Sequence, residues 1–212
     1  MTKYRTEFDR HYDKAMALLR ESGSTESAYQ YIRTIEDEDY RARTFQKVAQ
    51  SLAEQGNLDE ALNYSKAISG PRERADSLLE IGRTLKTRGK VDQAKNVFGD
   101  ALQAAEEIVS PYDKAAVFLQ LADELGALGG DHQGLMLVNR AVDLARPHRE
   151  DLEASKTLRA SARTLAKWNR IAEAIATAKL IDDRWAALRE MTLEEVQGRG
   201  QFPIKPTLSN GD

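Results

Sequence analysis

The chain has 212 residues and a net charge of −3, with 41% hydrophobic and 31% charged residues, the balance of a globular protein with a well-charged surface. That length is ample for a buried core, and the near-neutral charge argues against a dedicated nucleic-acid or membrane-surface binder. With no cysteine, disulfides, thiol nucleophiles and thiolate metal sites are excluded. Residues 1–14 carry charges of both signs and no apolar run, unlike a signal peptide. No run of about 18 apolar residues occurs to span a membrane. The expectation is a cytoplasmic protein.

Five helix pairs and one closing helix are predicted in chain order. The first pair, near 5–37, carries Tyr12, Ala15, Met16, Leu19, Gly23 and Ala28. The second, 39–69, repeats this 33 residues on as Phe45, Val48, Ala49, Leu52, Gly56 and Ala61. The third, 71–109, reads Leu78, Ile81, Gly82, Leu85, Gly89 and Ala94. The fourth, 111–146, follows after 40 residues with Phe118, Leu121, Ala122, Leu125, Gly129 and Gly134. The fifth, 149–181, has Leu158, Ser161, Ala162, Leu165, Asn169 and Ala174, a weaker match because Ser161 is polar.

Apolar residues at offsets of three and four make one helix face. The Gly or Asn after each first helix supplies the left-handed residue of a tight turn. The alanine five residues past that turn marks a close helix crossing. The seven extra residues of the 40-residue spacing fall in second helices, adding almost two turns and rotating the apolar face by only about 20°. Pro71, Pro111 and Pro147 stand between pairs. The closing helix, 183–197, keeps the register at Arg184, Trp185 and Leu188, then turns polar at Glu194, Glu195 and Gln197 as a water-facing cap. The expected domain is 1–197. Residues 198–212, with Gly198, Gly200, Pro203, Pro206 and Gly211, read as an extended or disordered tail.

These residues resemble the tetratricopeptide repeat family over roughly 9–197. Ala49, Gly82, Ala122 and Ala162 match its small eighth position, Gly56, Gly89 and Gly129 its turn, and Ala61, Ala94 and Ala174 its alanine at the twentieth. Three departures stand out. Leucine replaces the aromatic near the end of every first helix, two units are longer, and Gly134 at a twentieth position should loosen the fourth pair. The resemblance implies an all-α fold, an α-solenoid of about five antiparallel helix pairs plus a C-terminal capping helix, whose first helices line a concave face.

Chemistry is scarce. His11, His132 and His148 sit in different repeats, and only His11 has a carboxylate, Glu7, one turn away. The run Glu36–Asp39 lacks the glycine and closing glutamate of a calcium loop and suits a helix start. Gly82 to Gly89-Lys90 has the wrong spacing for a phosphate loop, and Val91 stands where Ser or Thr would hold magnesium. No enzyme, cofactor or metal is expected. Trp168 and Trp185 read as core or cap packing.

The groove positions that the resemblance implies include Ala53 in the second unit, Leu79 in the third, Leu119 and Asp123 in the fourth, and Ala166 in the fifth. Positive charge is densest in the fifth, where Lys156, Arg159, Arg163 and Lys167 form one helical stripe. Arg83 and Lys86 of the third unit are expected to look into the same channel. The leading reading is a non-enzymatic scaffold or adaptor that holds a protein partner's peptide segment, acidic or ending in a free carboxylate. One alternative is an anionic-ligand or nucleic-acid binder using the stripe, although no groove aromatics interleave with it. Another is a structural subunit that self-assembles into a homo-oligomer.

Overall fold

A computed structural model describes residues 6–22 and 25–201, and among them lie eleven α-helices and no strand. The helices are α1 Glu7–Ser22, α2 Thr25–Arg33, α3 Glu38–Gln55, α4 Leu58–Lys66, α5 Pro71–Thr87 and α6 Val91–Glu106. They continue as α7 Pro111–Ala127, α8 Asp131–Ala145, α9 Leu152–Lys167, α10 Ile171–Ala178 and α11 Ala186–Gln201. The fold is all-α and of the α-solenoid class. None of the described helices is long and apolar enough to cross a membrane.

One turn design ends four of the first helices. A residue one or two positions past the first helix takes positive φ, at Gly56 (94°), Gly89 (73°), Gly129 (78°) and Asn169 (61°). The next N–H then reaches back to a leucine carbonyl: Asn57 to Leu52, Lys90 to Leu85, Gly130 to Leu125 and Arg170 to Leu165, at 2.8–2.9 Å. These are the leucines of the repeat register, so one residue both packs the core and closes the helix. Asn169 manages the conformation because asparagine tolerates the left-handed region better than most side chains. The corresponding turn after α1, at residues 23–24, lies outside the described residues.

Helix starts are equally local. Asp37 caps α3 by accepting from the Tyr40 N–H at 2.8 Å, which gives the acidic run its role. Ser110 caps α7, and Pro71 and Pro111 occupy the first turns of α5 and α7. Arg41 and Arg74, 33 residues apart, each donate to a carbonyl just past the preceding second helix, that of Ile35 and that of Ile68. The isoleucines themselves are a further repeat feature. Ile35, Ile68, Ile108 and Ile181 all follow second helices and are all buried.

The chain groups into two compact units, Met1–Val109 and Ser110–Asp212. In the first, α1–α6 enclose a core that includes Phe45, Val48, Leu52, Leu78, Ile81 and Phe98. Its second helices α2 and α4 have nine residues each, whereas α6 has 16, where the longer spacing predicted an extension. In the second unit, α7–α11 bury Phe118, Leu121, Leu137, Val138, Leu158 and Leu165. Val142, Ala145, Ala154, Leu158 and Ile181 form one cluster there, covered by Tyr112, Leu180 and Trp185.

The crossing alanines Ala61, Ala94 and Ala174 are fully buried, as the register requires. Three expectations are corrected. Ala53, Leu79, Leu119 and Ala166 are buried rather than facing an open groove. Within the first unit α3 packs alongside α5, and α7 packs alongside α9 in the second, so that edge of each first helix is covered by its neighbour. Gly134 does not loosen its pair. A Cβ there would stand 2.8 Å from the Trp168 ring and 3.0 Å from the Ala122 carbonyl, so the indole occupies the space. Finally, α11 runs through Gly198 and Gly200 to Gln201, because a glycine near a helix end costs only about 1 kcal/mol against alanine. The rest of the expected tail, 202–212, lies outside the described residues.

Candidate functional site

The stripe of α9 is set by that helix's amphipathic spacing. Ala154, Ser155, Leu158, Ser161, Ala162 and Leu165 face inward, which turns Lys156, Arg159, Arg163 and Lys167 away from the core. All four cations meet carboxylates. Lys156 Nζ lies 2.6 Å from Glu153 Oε1, one turn back on the same helix. Arg159 Nη2 donates to Glu195 Oε1 of α11 at 2.9 Å, and Arg163 Nε stands 3.5 Å from Glu195 Oε2. Lys167 Nζ lies 3.2 Å from Asp123 Oδ2 of α7.

The arrangement is a row of ion pairs across three helices. Lys156, Arg163 and Lys167 are more than half exposed, so their pairs are screened and individually weak. Arg159 is the most covered of the four, at 25% exposure. Two polar atoms are buried there without any partner, Arg159 Nε and Asp123 Oδ1. Leaving such an atom unpaired costs about 1–3 kcal/mol, so the row as it stands is not the best these groups could do.

Six residues were singled out from the sequence, and they divide between the units. Lys156, Arg159, Arg163 and Lys167 come together in the second. Arg83 and Lys86 belong to α5 in the first, where Arg83 Nη1 donates to Glu80 Oε1 at 2.5 Å and Lys86 is also engaged. Asp123 was placed on the groove face from its register. Glu195 faces water as expected and is also the shared partner of two arginines. Its separation from Arg159 is 36 residues, and nothing local in the sequence announces such a pairing.

The other chemistry-bearing residues have structural partners. His11 Nδ1 lies 2.7 Å from the Tyr31 hydroxyl. Trp168 packs against Gly126 and Gly134, and Trp185 Nε1 donates to the Glu150 carbonyl at 3.1 Å. Among the described residues, no three His, Asp or Glu side chains gather as a metal site would need.

A family model described as "Tetratricopeptide repeat" matches residues 74–111. No curated protein matches the chain. Among solved structures, Ton1535 from Thermococcus onnurineus NA1 is similar at 21% identity and a TM-score of 0.50, over 90% of this chain and 57% of that one. The chain therefore spans little more than half of that protein's length. A de novo designed helical repeat protein, DHR64, matches at 16% identity and a TM-score of 0.33, over 92% of both chains. With eleven helices among the described residues and a tetratricopeptide match over residues 74–111, the chain is a helical repeat protein that resembles the tetratricopeptide repeats.

Proposed function

We propose that this chain is a non-enzymatic, cytoplasmic adaptor whose α9 face receives an acidic peptide segment of another protein. Tetratricopeptide repeats generally mediate protein–protein interaction, and the choice of face rests on one observation. Arg159 and Arg163 converge on the single carboxylate of Glu195, and the Arg163 side chain is more than half exposed. Two guanidiniums on one carboxylate leave charge and hydrogen-bonding capacity for a second carboxylate. In this reading Arg159 and Arg163 grip the acidic group, and Lys156 and Lys167 extend the face at either end.

The charge count favours a peptide over nucleic acid. Four cations stand against Glu153, Glu195 and Asp123, a local excess of one, which is little for a phosphate backbone. The test is a titration of hexaglutamate into the whole chain at low salt. Binding that disappears in the Arg159→Gln, Arg163→Gln double variant supports the reading. Undiminished binding in that variant overturns it.

A further inference from the structure

The first unit carries a cleft that the α9 reading leaves unused. Two adjoining cavities of about 410 and 390 Å³ open beside α2 and α4, with Tyr29 and Ala67 common to both. Their aromatic wall is firmly held. Tyr29, Phe45 and Tyr64 pack with ring centroids 5.4–5.8 Å apart, and the Tyr64 hydroxyl donates to the Thr25 carbonyl at 2.6 Å.

Charge is graded along this cleft. Glu26 and Glu60 lie in the first turns of α2 and α4, and Arg33 and Lys66 in their last turns. Acids at helix starts and bases at helix ends also suit the helix dipoles. The dipoles do not require a half-exposed tyrosine, Tyr29, backed by the buried rings of Phe45 and Tyr64, between those ends, nor polar side chains left unused. Yet the side chains of Glu60, Asn63, Lys66 and Arg33 make no hydrogen bond or ion pair with any other described residue, whereas every cation of the α9 row is engaged.

Glu26 and Arg33 are seven residues apart, roughly 10 Å along a helix. Three residues of extended peptide span the same distance. We propose that this cleft binds a peptide segment bearing a basic side chain and, three residues away, an acidic one. The cation sits by Glu26 and Glu60 against the ring of Tyr29, which the buried Tyr64 backs, so that a ring and a carboxylate attract it together. The carboxylate sits beside Arg33 and Lys66. This site is independent of the α9 face and stands or falls without it.

The test uses the full isotope-labelled chain and three capped peptides, followed by amide and tyrosine-ring chemical shifts. Their sequences are Lys-Gly-Gly-Glu, Lys-Gly-Gly-Lys and Glu-Gly-Gly-Glu. The mixed-charge peptide should bind best and move the signals of Tyr29 and Tyr64. Glu60→Lys and Arg33→Glu, each checked by its melting curve, should weaken it about two- to fivefold apiece, the worth of one exposed ion pair. Glu60→Lys should also shift the preference to the doubly acidic peptide, a gain that misfolding cannot mimic. Equal binding of all three peptides would overturn the proposal. So would binding that leaves Tyr29 and Tyr64 unmoved, or self-association of the free chain through α2 and α4.

Discussion

Arg159 and Glu195 are joined across α9 and α11 by a 2.9 Å hydrogen bond that engages Nη2, while Nε of the same guanidinium is buried with nothing to donate to. The pair is therefore both a tie between two helices and an incomplete one. Glu195→Gln keeps an acceptor for Nη2 and removes the charge, so its cost should be at most about 1 kcal/mol, as for other part-exposed pairs. Thermal denaturation of the variant checks this. A loss of several kcal/mol would mean that the row holds the α9–α11 packing together.

Two glycines in neighbouring helices should respond in opposite directions to alanine. A Cβ at Gly82 would lie 2.3 Å from the Phe98 ring, whereas one at Gly99 meets nothing within 4 Å. Gly82→Ala should destabilise by about 1–3 kcal/mol through overpacking. Gly99→Ala, inside the exposed face of α6, should stabilise by about 0.5–1 kcal/mol. Urea denaturation of the two variants side by side measures the contrast.

Trp168 and Gly126 should be coupled. The three atoms nearest to a Cβ on Gly126 all belong to the indole, at 2.9–3.4 Å. Gly126→Ala should therefore cost about 1–3 kcal/mol in the parent chain and much less when Trp168 is already alanine. A double-mutant cycle with no interaction energy would show that the indole does not fill that space.

Much of the fold was legible because its determinants are local. Leu52, Leu85, Leu125 and Leu165, the turn residues after them and the crossing alanines all recur at fixed offsets in one chain. The corrections concern groups whose neighbours are remote. Ala53 is covered by a helix of the next repeat, Trp168 fills the gap at Gly134 from 34 residues away, and Glu195 reaches back to α9. The α9 cations could be located from periodicity, but their pairing depends on which carboxylates the neighbouring helices present. Ala53→Leu and Ala61→Leu should accordingly both destabilise, by about 1–3 kcal/mol, while Ala160→Leu on the exposed side of α9 should stay within about 0.5 kcal/mol.

Tyr64 should make the first unit sensitive to alkali. Burial, followed by the nearby Glu26 charge and Tyr29, pushes its hydroxyl well above the usual phenol range. The raised value means that the unfolded chain releases this proton first, near pH 10. Stability due to Tyr64 is complete below that pH and falls as pH rises above it toward the folded value. Tyr64→Phe should flatten the decline between about pH 10 and 11.5, at a cost near neutrality of about 0.5–1.5 kcal/mol for the lost bond to Thr25. Denaturant melts across that range give both quantities.

The central claim is that the α9 row is a site for a partner's carboxylates, with Glu195 occupying it in the free protein. The most direct measurement is the affinity of hexaglutamate for Glu195→Gln against the parent chain at low salt. Removing the internal competitor should tighten binding severalfold, and raising the salt should weaken it in both proteins. Affinity that is unchanged or weaker in Glu195→Gln would contradict the account.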